Sequence, residues 1–185
     1  MIKIKLVSRI IRAGLILSLT INALMFTYVA FNYASPFKSN VNESSISVTN
    51  QVEVAWEYYA QILEDRDVSS FWLLTPLSQL PEIILLIILW KLFGLYQQGV
   101  IFTKQNINYF RQIGKLFLIW EVVVVLYPMS LSLILNFFDA TLKLPIFLSF
   151  GQNEFSRLII GISVYVIAWV MNEAINLKQE QDLVI

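Results

Sequence analysis

Residues 83–90 read IILLIILW and form the centre of an apolar segment that runs from about residue 71 to residue 96. A helix rises about 1.5 Å per residue and the hydrocarbon core of a bilayer is about 30 Å thick, so about 20 apolar residues cross it. A soluble amphipathic helix would carry a polar stripe, and a strand is usually only about four to eight residues long. The length and the uniform apolar character of this segment therefore predict a transmembrane helix.

Three further segments have the same character, at about residues 11–33, 116–138 and 158–177. The predicted fold class is all-α, an integral membrane bundle of four transmembrane helices in one membrane domain over residues 1–185. A cleaved signal peptide is the alternative for the first segment, because its basic flank fits both interpretations. Its length of about 20 apolar residues and the lack of an A-x-A-like site favour an uncleaved anchor.

The composition supports a membrane protein and excludes several functional classes. Hydrophobic residues make up 57% of the 185 residues and charged residues only 14%, with a mean hydropathy of +0.67. The chain has no Cys and no His, which excludes disulfide frameworks, the usual zinc and haem sites and Ser-His-Asp triads. The formal net charge of zero provides no field for phosphate, so we expect no direct binding of nucleic acid. We expect neither an enzyme nor a cofactor.

The distribution of Lys and Arg predicts the orientation in a cell membrane, because these residues accumulate in cytoplasmic loops. The N-terminal tail has four of them, and residues 97–115 have three with no acidic residue. Residues 34–70 have two, against six acidic residues. We therefore expect both termini, the inner loop (97–115) and the tail (178–185) to be cytoplasmic, and the outer loop (34–70) to lie outside.

The outer loop is expected to contain one short amphipathic helix on the extracytoplasmic surface. Val52, Trp56, Tyr59 and Leu63 recur there at helical spacing. In the inner loop, Thr103 is a plausible N-cap, and the helix that it starts is expected to run directly into the third span.

The inner loop resembles the signature of a bacterial membrane protein family that is catalogued as domain of unknown function 2975. The matching positions are Gly99, Phe102, Thr103, Asn106, Arg111, Ile113 and Gly114. Gly161, Ala168, Glu173 and the Leu-Lys-Glu-rich end that finishes at Ile185 add to the resemblance, which covers about residues 73–185. Val184 departs from it, since a Thr is expected there, and so does the longer outer loop.

The resemblance implies about four spans, no established activity and a regulatory partner, because members of the family are often encoded beside a small helix-turn-helix regulator. Two functional classes remain open for this chain. The first is a non-enzymatic membrane sensor, regulator or scaffold that engages a cytoplasmic partner. The alternative is a small transporter or channel subunit, which would act as a homo-oligomer because four helices leave little room for a pore.

Charged residues within the spans are the candidate functional residues, since they are costly in the bilayer and usually face the interior of a bundle. Counting helix rise from the presumed inner ends places Lys91, Glu121 and Glu173 at a similar depth, about 7–9 Å from the cytoplasmic face. The functional interpretation is a polar cluster that lines a small vestibule as a proton or substrate site. The alternatives are a structural ion pair and side chains that reach the headgroups separately.

Glu82 and the cytoplasmic face supply the remaining candidates. Glu82 follows Pro81, and it is interpreted as an acid in the first turn near the start or a kink of the second span, or else as a coupling-ion site. Contact with anionic lipids of the bilayer is the alternative explanation for the basic residues of the inner loop. The residues proposed to dock a soluble partner are Phe102, Thr103, Asn106, Arg111, Asp182, Leu183 and Ile185.

Overall fold

The computed structural model describes residues 2–32, 61–63, 65, 70–101, 103–139, 141, 143, 144, 146 and 152–182. Four long helices account for nearly all of them: α1 (Ile2–Asn32), α2 (Ser70–Gln98), α3 (Lys104–Phe138) and α4 (Gln152–Asp182). No strand occurs within these ranges. All four helices are long and apolar enough to cross a membrane. The predicted all-α, multi-pass architecture is therefore confirmed.

The helices extend beyond the apolar segments that predicted them. α1 starts at Ile2 and includes the basic flank, and α4 starts at Gln152 and continues to Asp182. Of the expected outer-loop helix, only residues 61–63 are described. They are helical, with Leu63 fully buried, whereas Val52, Trp56 and Tyr59 lie outside the described residues.

The turn between α2 and α3 is closed by hydrogen bonds at both helix ends. Gly99 has a positive φ of 85°, its N–H donates to the carbonyl of Tyr96, and the N–H of Val100 donates to the carbonyl of Leu95. These two bonds form a Schellman cap, in which glycine is favoured because it has no Cβ. On the other side, the Thr103 hydroxyl accepts a bond of 3.4 Å from the N–H of Asn106. Thr103 is therefore the N-cap of α3, as predicted.

Asn106 joins the two sides of this turn. Its side chain is fully buried, and its Nδ2 donates to the carbonyl of Val100 at 2.9 Å and to that of Ile101 at 2.5 Å. One side chain of α3 therefore satisfies two carbonyls that follow the end of α2. Because buried backbone carbonyls need partners, Asn106 fixes the conformation of the turn.

The chain divides into two compact units. The second comprises Asn22–Leu80 and Val123–Phe150. Tyr127 Oη donates to the carbonyl of Leu73 at 2.7 Å, and the amide of Asn136 exchanges two hydrogen bonds with the backbone of Leu144. Pro128 lies within α3, and its carbonyl accepts a bond from the Ser132 hydroxyl.

Residues just after α3 form a small capped turn. The carboxylate of Asp139 accepts hydrogen bonds from the hydroxyl of Thr141 at 2.6 Å and from its backbone N–H at 2.9 Å. These bonds, the side-chain one first, hold the pKa of Asp139 below its usual value.

The first unit comprises Met1–Ile21, Pro81–Val122 and Gly151–Ile185, and it contains the candidate site described next.

Candidate functional site: a buried carboxylate pair on α3 and α4

Two glycines bring the backbones of α3 and α4 into contact. A Cβ added to Gly114 would lie 2.9 Å from both the Cβ and the backbone nitrogen of Tyr165, and 3.0 Å from the carbonyl oxygen of Gly161. A Cβ added to Gly161 would lie 2.9 Å from the Cβ of Phe117. Small residues allow this close approach of helices, which in a membrane is driven by packing rather than by the hydrophobic effect.

The buried positions around this contact repeat every seven residues on both helices, as in antiparallel coiled-coil packing. On α3 the buried residues at this spacing are Ile107, Gly114 and Glu121, and on α4 they are Glu154, Gly161 and Ala168. Glu121 lies seven residues after Gly114 on α3, and Glu154 lies seven residues before Gly161 on α4. Because the two helices are antiparallel, both residues lie one repeat from the glycine contact on the same side. The seam between two apolar helices therefore contains a carboxylate from each.

Arg157 links these two carboxylates. Its Nε lies 2.5 Å from Glu121 Oε1, and its Nη2 lies 3.5 Å from Glu154 Oε1. Glu121 is only 2% exposed and Glu154 only 5%. The Nε–H bond of Arg157 does not point at the carboxylate, so among the described residues neither oxygen of Glu121 accepts a hydrogen bond. We refer to Glu121, Glu154 and Arg157 as the acid–arginine layer.

Glu121 lies within the apolar part of α3. Glu121 is the central residue of α3, 17 positions from Lys104 and 17 from Phe138. Since about 20 residues cross the hydrocarbon core, every window of that length within this helix includes Glu121. The Glu121 carboxylate is therefore at a place where an ionised group without a partner is costly.

The acid–arginine layer corrects the predicted partner of Glu121. The sequence grouped Glu121 with Lys91 and Glu173, whereas the structure pairs it with Arg157. Glu173 lies 16 residues beyond Arg157 on the same helix, which corresponds to about 24 Å along its axis. The structure therefore does not bring Glu121 and Glu173 together. Both Lys91 and Glu173 are exposed.

The physical reason for this correction is helix register. The sequence gives the depth of Glu121 along its own helix, but its partner depends on how far α4 is displaced along α3, and the contact between Gly114 and Gly161 sets that displacement. Arg157 lies just before the predicted start of the fourth span, at about residue 158. The signal that could have identified it is the seven-residue spacing of Glu154 from Gly161, combined with the i, i+3 spacing of Glu154 and Arg157.

Glu82 does not occupy the first turn of a helix. It is exposed and lies 12 residues after the start of α2 at Ser70, so the helix N-terminus does not explain it. It takes part in a polar contact, so it has a partner.

The structure gives the proposed docking residues of the inner loop different roles. Asn106 is fully buried and Thr103 caps α3, so both stabilise the turn. Arg111 is half-buried, and Asp182 is the last residue of α4. Phe102, Leu183 and Ile185 lie outside the described residues.

Sequence reasoning missed a second polar contact, between α1 and α2. The guanidinium carbon of Arg12 lies 4.4 Å from the centre of the Trp90 ring, and its Nη1 donates to Gln97 Oε1 at 2.6 Å. It packs beside Gly94, whose added Cβ would lie 3.7 Å from it. Trp90, Gly94 and Gln97 share one helical face, because they are four and three residues apart. Arg12 is one of the four basic residues of the N-terminal tail, which the sequence analysis used only to predict the orientation.

The helices and the buried polar layer define a multi-pass membrane protein of the all-α class. A family model described as "Protein of unknown function (DUF2975)" matches residues 48–185, about three quarters of the chain, and the protein belongs to this family. The match confirms the suspected resemblance and begins earlier than residue 73, within the predicted outer loop. No curated protein and no solved structure matches the chain.

Proposed function

We propose that the protein is a non-enzymatic membrane regulator or scaffold, and that the polar C-terminal end of α4 engages a soluble cytoplasmic partner. The observation that carries this proposal is that α4 continues as a helix to Asp182, beyond its apolar segment. Residues 177–181 are all exposed. A regular helical end with free polar side chains is a suitable recognition surface.

The charge of this end favours a protein over lipid as its ligand. Lys178 is followed by Glu180 and Asp182, so the last turn is net acidic. Anionic lipids attract basic segments at about 1 kcal/mol per charge and repel acidic ones. Lipid therefore explains the basic residues of the inner loop but not this tail. The family resemblance suggests a helix-turn-helix regulator as the partner.

A pull-down with site-specific crosslinking tests the docking proposal. The full chain with an N-terminal tag is crosslinked from position 179, which is exposed, and co-purifying proteins are identified. Deleting residues 181–185 should abolish capture and leave membrane insertion intact. The matched control is Asn108→Ala, an exposed change in the predicted inner loop, which should retain capture. Capture that survives the deletion, or no capture by the full chain, contradicts the proposal.

The proposal requires both termini to be cytoplasmic, which the distribution of Lys and Arg supports. Topology reporters fused at Asn50 and at the C-terminus should report opposite sides of the membrane. The same side for both would reject the four-span orientation.

A second candidate function is a transporter or channel subunit that acts as a homo-oligomer. The acid–arginine layer favours it, because ionisable residues inside a membrane often mark ion or proton pathways. Flux of protons or small ions into proteoliposomes, lost in Glu121→Gln and retained in Glu173→Gln, would support this function. Proteoliposomes without flux, together with partner capture through the tail, would support the regulator.

A further inference from the structure

Three basic residues, Lys5, Arg9 and Arg12, form a stripe along the N-terminal part of α1. They are four and three residues apart, so they lie on one face of the helix with neighbouring Cβ atoms about 5–6 Å apart. The first acidic residue of the chain is Glu43, and none of the three forms an ion pair within the part of the chain that the structure describes. Like charges at this spacing repel each other, so a bound anion would stabilise this basic stripe.

Arg12 joins the basic stripe to α2 without a compensating charge. Its guanidinium lies over the ring of Trp90, and its one hydrogen bond to a described residue is donated to the uncharged amide of Gln97. A guanidinium has five N–H donors, so four of them, including the buried Nε–H, have no acceptor among the described residues. A cation that is held in place and keeps unused donors is suited to binding the oxygens of a phosphate group.

The position of the basic stripe along α1 corresponds to the headgroups of one leaflet. Residues 13–32 of this helix are 20 consecutive uncharged residues, and about this length crosses the hydrocarbon core. Arg12 therefore lies at the edge of the core, with Arg9 about 4–5 Å and Lys5 about 10–11 Å further out along the axis. Trp90 agrees with this depth, because Trp is enriched at the membrane–water interface.

We propose that the basic stripe and Trp90 form a binding site for the headgroup of an anionic phospholipid. The phosphate of the headgroup accepts hydrogen bonds from the arginines where α1 meets α2, and the acyl chains lie along the exposed apolar surface of the two helices. Basic pockets between transmembrane helices are a recurrent arrangement for anionic headgroups. This site is separate from the proposed docking surface at the end of α4.

The orientation of the chain in the membrane does not by itself require this arrangement. The positive-inside rule depends on how many basic residues flank a span, and not on the helical face that carries them. It therefore explains neither the alignment of the basic stripe on one face nor the contact of Arg12 with Trp90 and Gln97. A headgroup bound at the junction of α1 and α2 explains both.

Native mass spectrometry of the full chain in an uncharged detergent tests the site. The probes are dioleoyl-phosphatidylglycerol, which has a net negative headgroup, and dioleoyl-phosphatidylcholine, which has the same acyl chains and no net charge. Each basic residue near an anionic lipid strengthens binding about fivefold, so the wild-type protein should bind the phosphatidylglycerol at least about tenfold more tightly.

Substitutions within the basic stripe locate the bound lipid. Lys5→Gln and Arg9→Gln change exposed residues, and each should weaken the binding of phosphatidylglycerol about fivefold without changing that of phosphatidylcholine. Arg12→Gln should weaken it further, and the two exposed variants keep the test independent of any loss of folding in Arg12→Gln. The matched control is Lys178→Gln, which removes the same charge from an exposed residue of α4 and should leave the affinity unchanged.

Equal affinity of the wild-type protein for the two lipids overturns the proposal, a result that does not depend on any variant. It is also overturned if Lys178→Gln weakens binding as much as Lys5→Gln and Arg9→Gln, because the attraction would then follow the total charge alone. Excess glycerol phosphate, a soluble compound with the same phosphate chemistry, should leave the lipid bound. Displacement by glycerol phosphate would assign the site to a free phosphate compound and reject the lipid.

Discussion

Replacing Gly114 by alanine would force the backbones of α3 and α4 apart. The new Cβ would lie 2.9 Å from the Cβ and the backbone nitrogen of Tyr165. Unstrained contacts between carbon atoms are about 3.5–4.0 Å long, so α4 would have to retreat by about 0.6–1 Å. Both opposing atoms are fixed to the helix, so no rotamer change relieves the contact.

The expected cost follows from these distances. Overpacking a close contact destabilises proteins by about 1–3 kcal/mol, and an unyielding backbone favours the upper half of that range. Alanine also improves helix propensity over glycine by about 1 kcal/mol. Gly14→Ala is the matched control, because Gly14 has no atom within 4 Å of an added Cβ and gains the propensity alone. The two variants should therefore differ by about 2–3 kcal/mol.

Reversible unfolding of the full chain in mixed micelles, followed by far-ultraviolet circular dichroism, measures this difference. Gly161→Ala should behave like Gly114→Ala, since its Cβ would meet Phe117 at 2.9 Å. If Gly114→Ala is as stable as Gly14→Ala, the helices do not touch at Gly114 and the register that places Glu121 beside Arg157 is wrong.

Three further predictions concern the turn, the α1–α2 contact and the capped turn after α3. Asn106→Ala should lower the free energy of unfolding by about 1–3 kcal/mol because it leaves two carbonyls without donors, and Asn108→Ala, an exposed neighbour, should not change it. Arg12→Lys should lower the unfolding midpoint in a micelle titration, because the ammonium group of lysine lacks the flat shape and the fixed set of donors of a guanidinium group. Arg9→Lys, a change of an exposed residue, should leave the midpoint unchanged. The pKa of Asp139 is lower in the folded protein than in the unfolded chain. Its carboxylate therefore adds to the stability of the fold above the unfolded-state pKa, and this stabilisation is lost as the pH falls through the folded-state pKa. The thermal unfolding midpoints of the wild-type protein and Asp139→Asn should therefore differ less in acid than at neutral pH. A difference that does not change with pH would contradict this prediction.

The sequence by itself determined the four helices and their class. Uniformly apolar segments of about 20 residues have few alternatives, because a lipid-exposed backbone must satisfy its hydrogen bonds within the segment. The start of α3 was also readable, since Thr103 precedes it and a hydroxyl there can accept a bond from the first turn. The role of Asn106 was not readable, because its two acceptors lie across a turn whose path depends on Gly99.

Only the tertiary structure decided which charges meet. Depth along one helix can be counted from sequence, but the partner of Glu121 depends on how far α4 is displaced along α3. That displacement is set where Gly114 and Gly161 let the backbones touch, and the spacing within one helix does not show which residue of the other helix lies opposite. The glycine contact therefore places Arg157 opposite Glu121, and it also brings a second buried acid, Glu154, to the same layer.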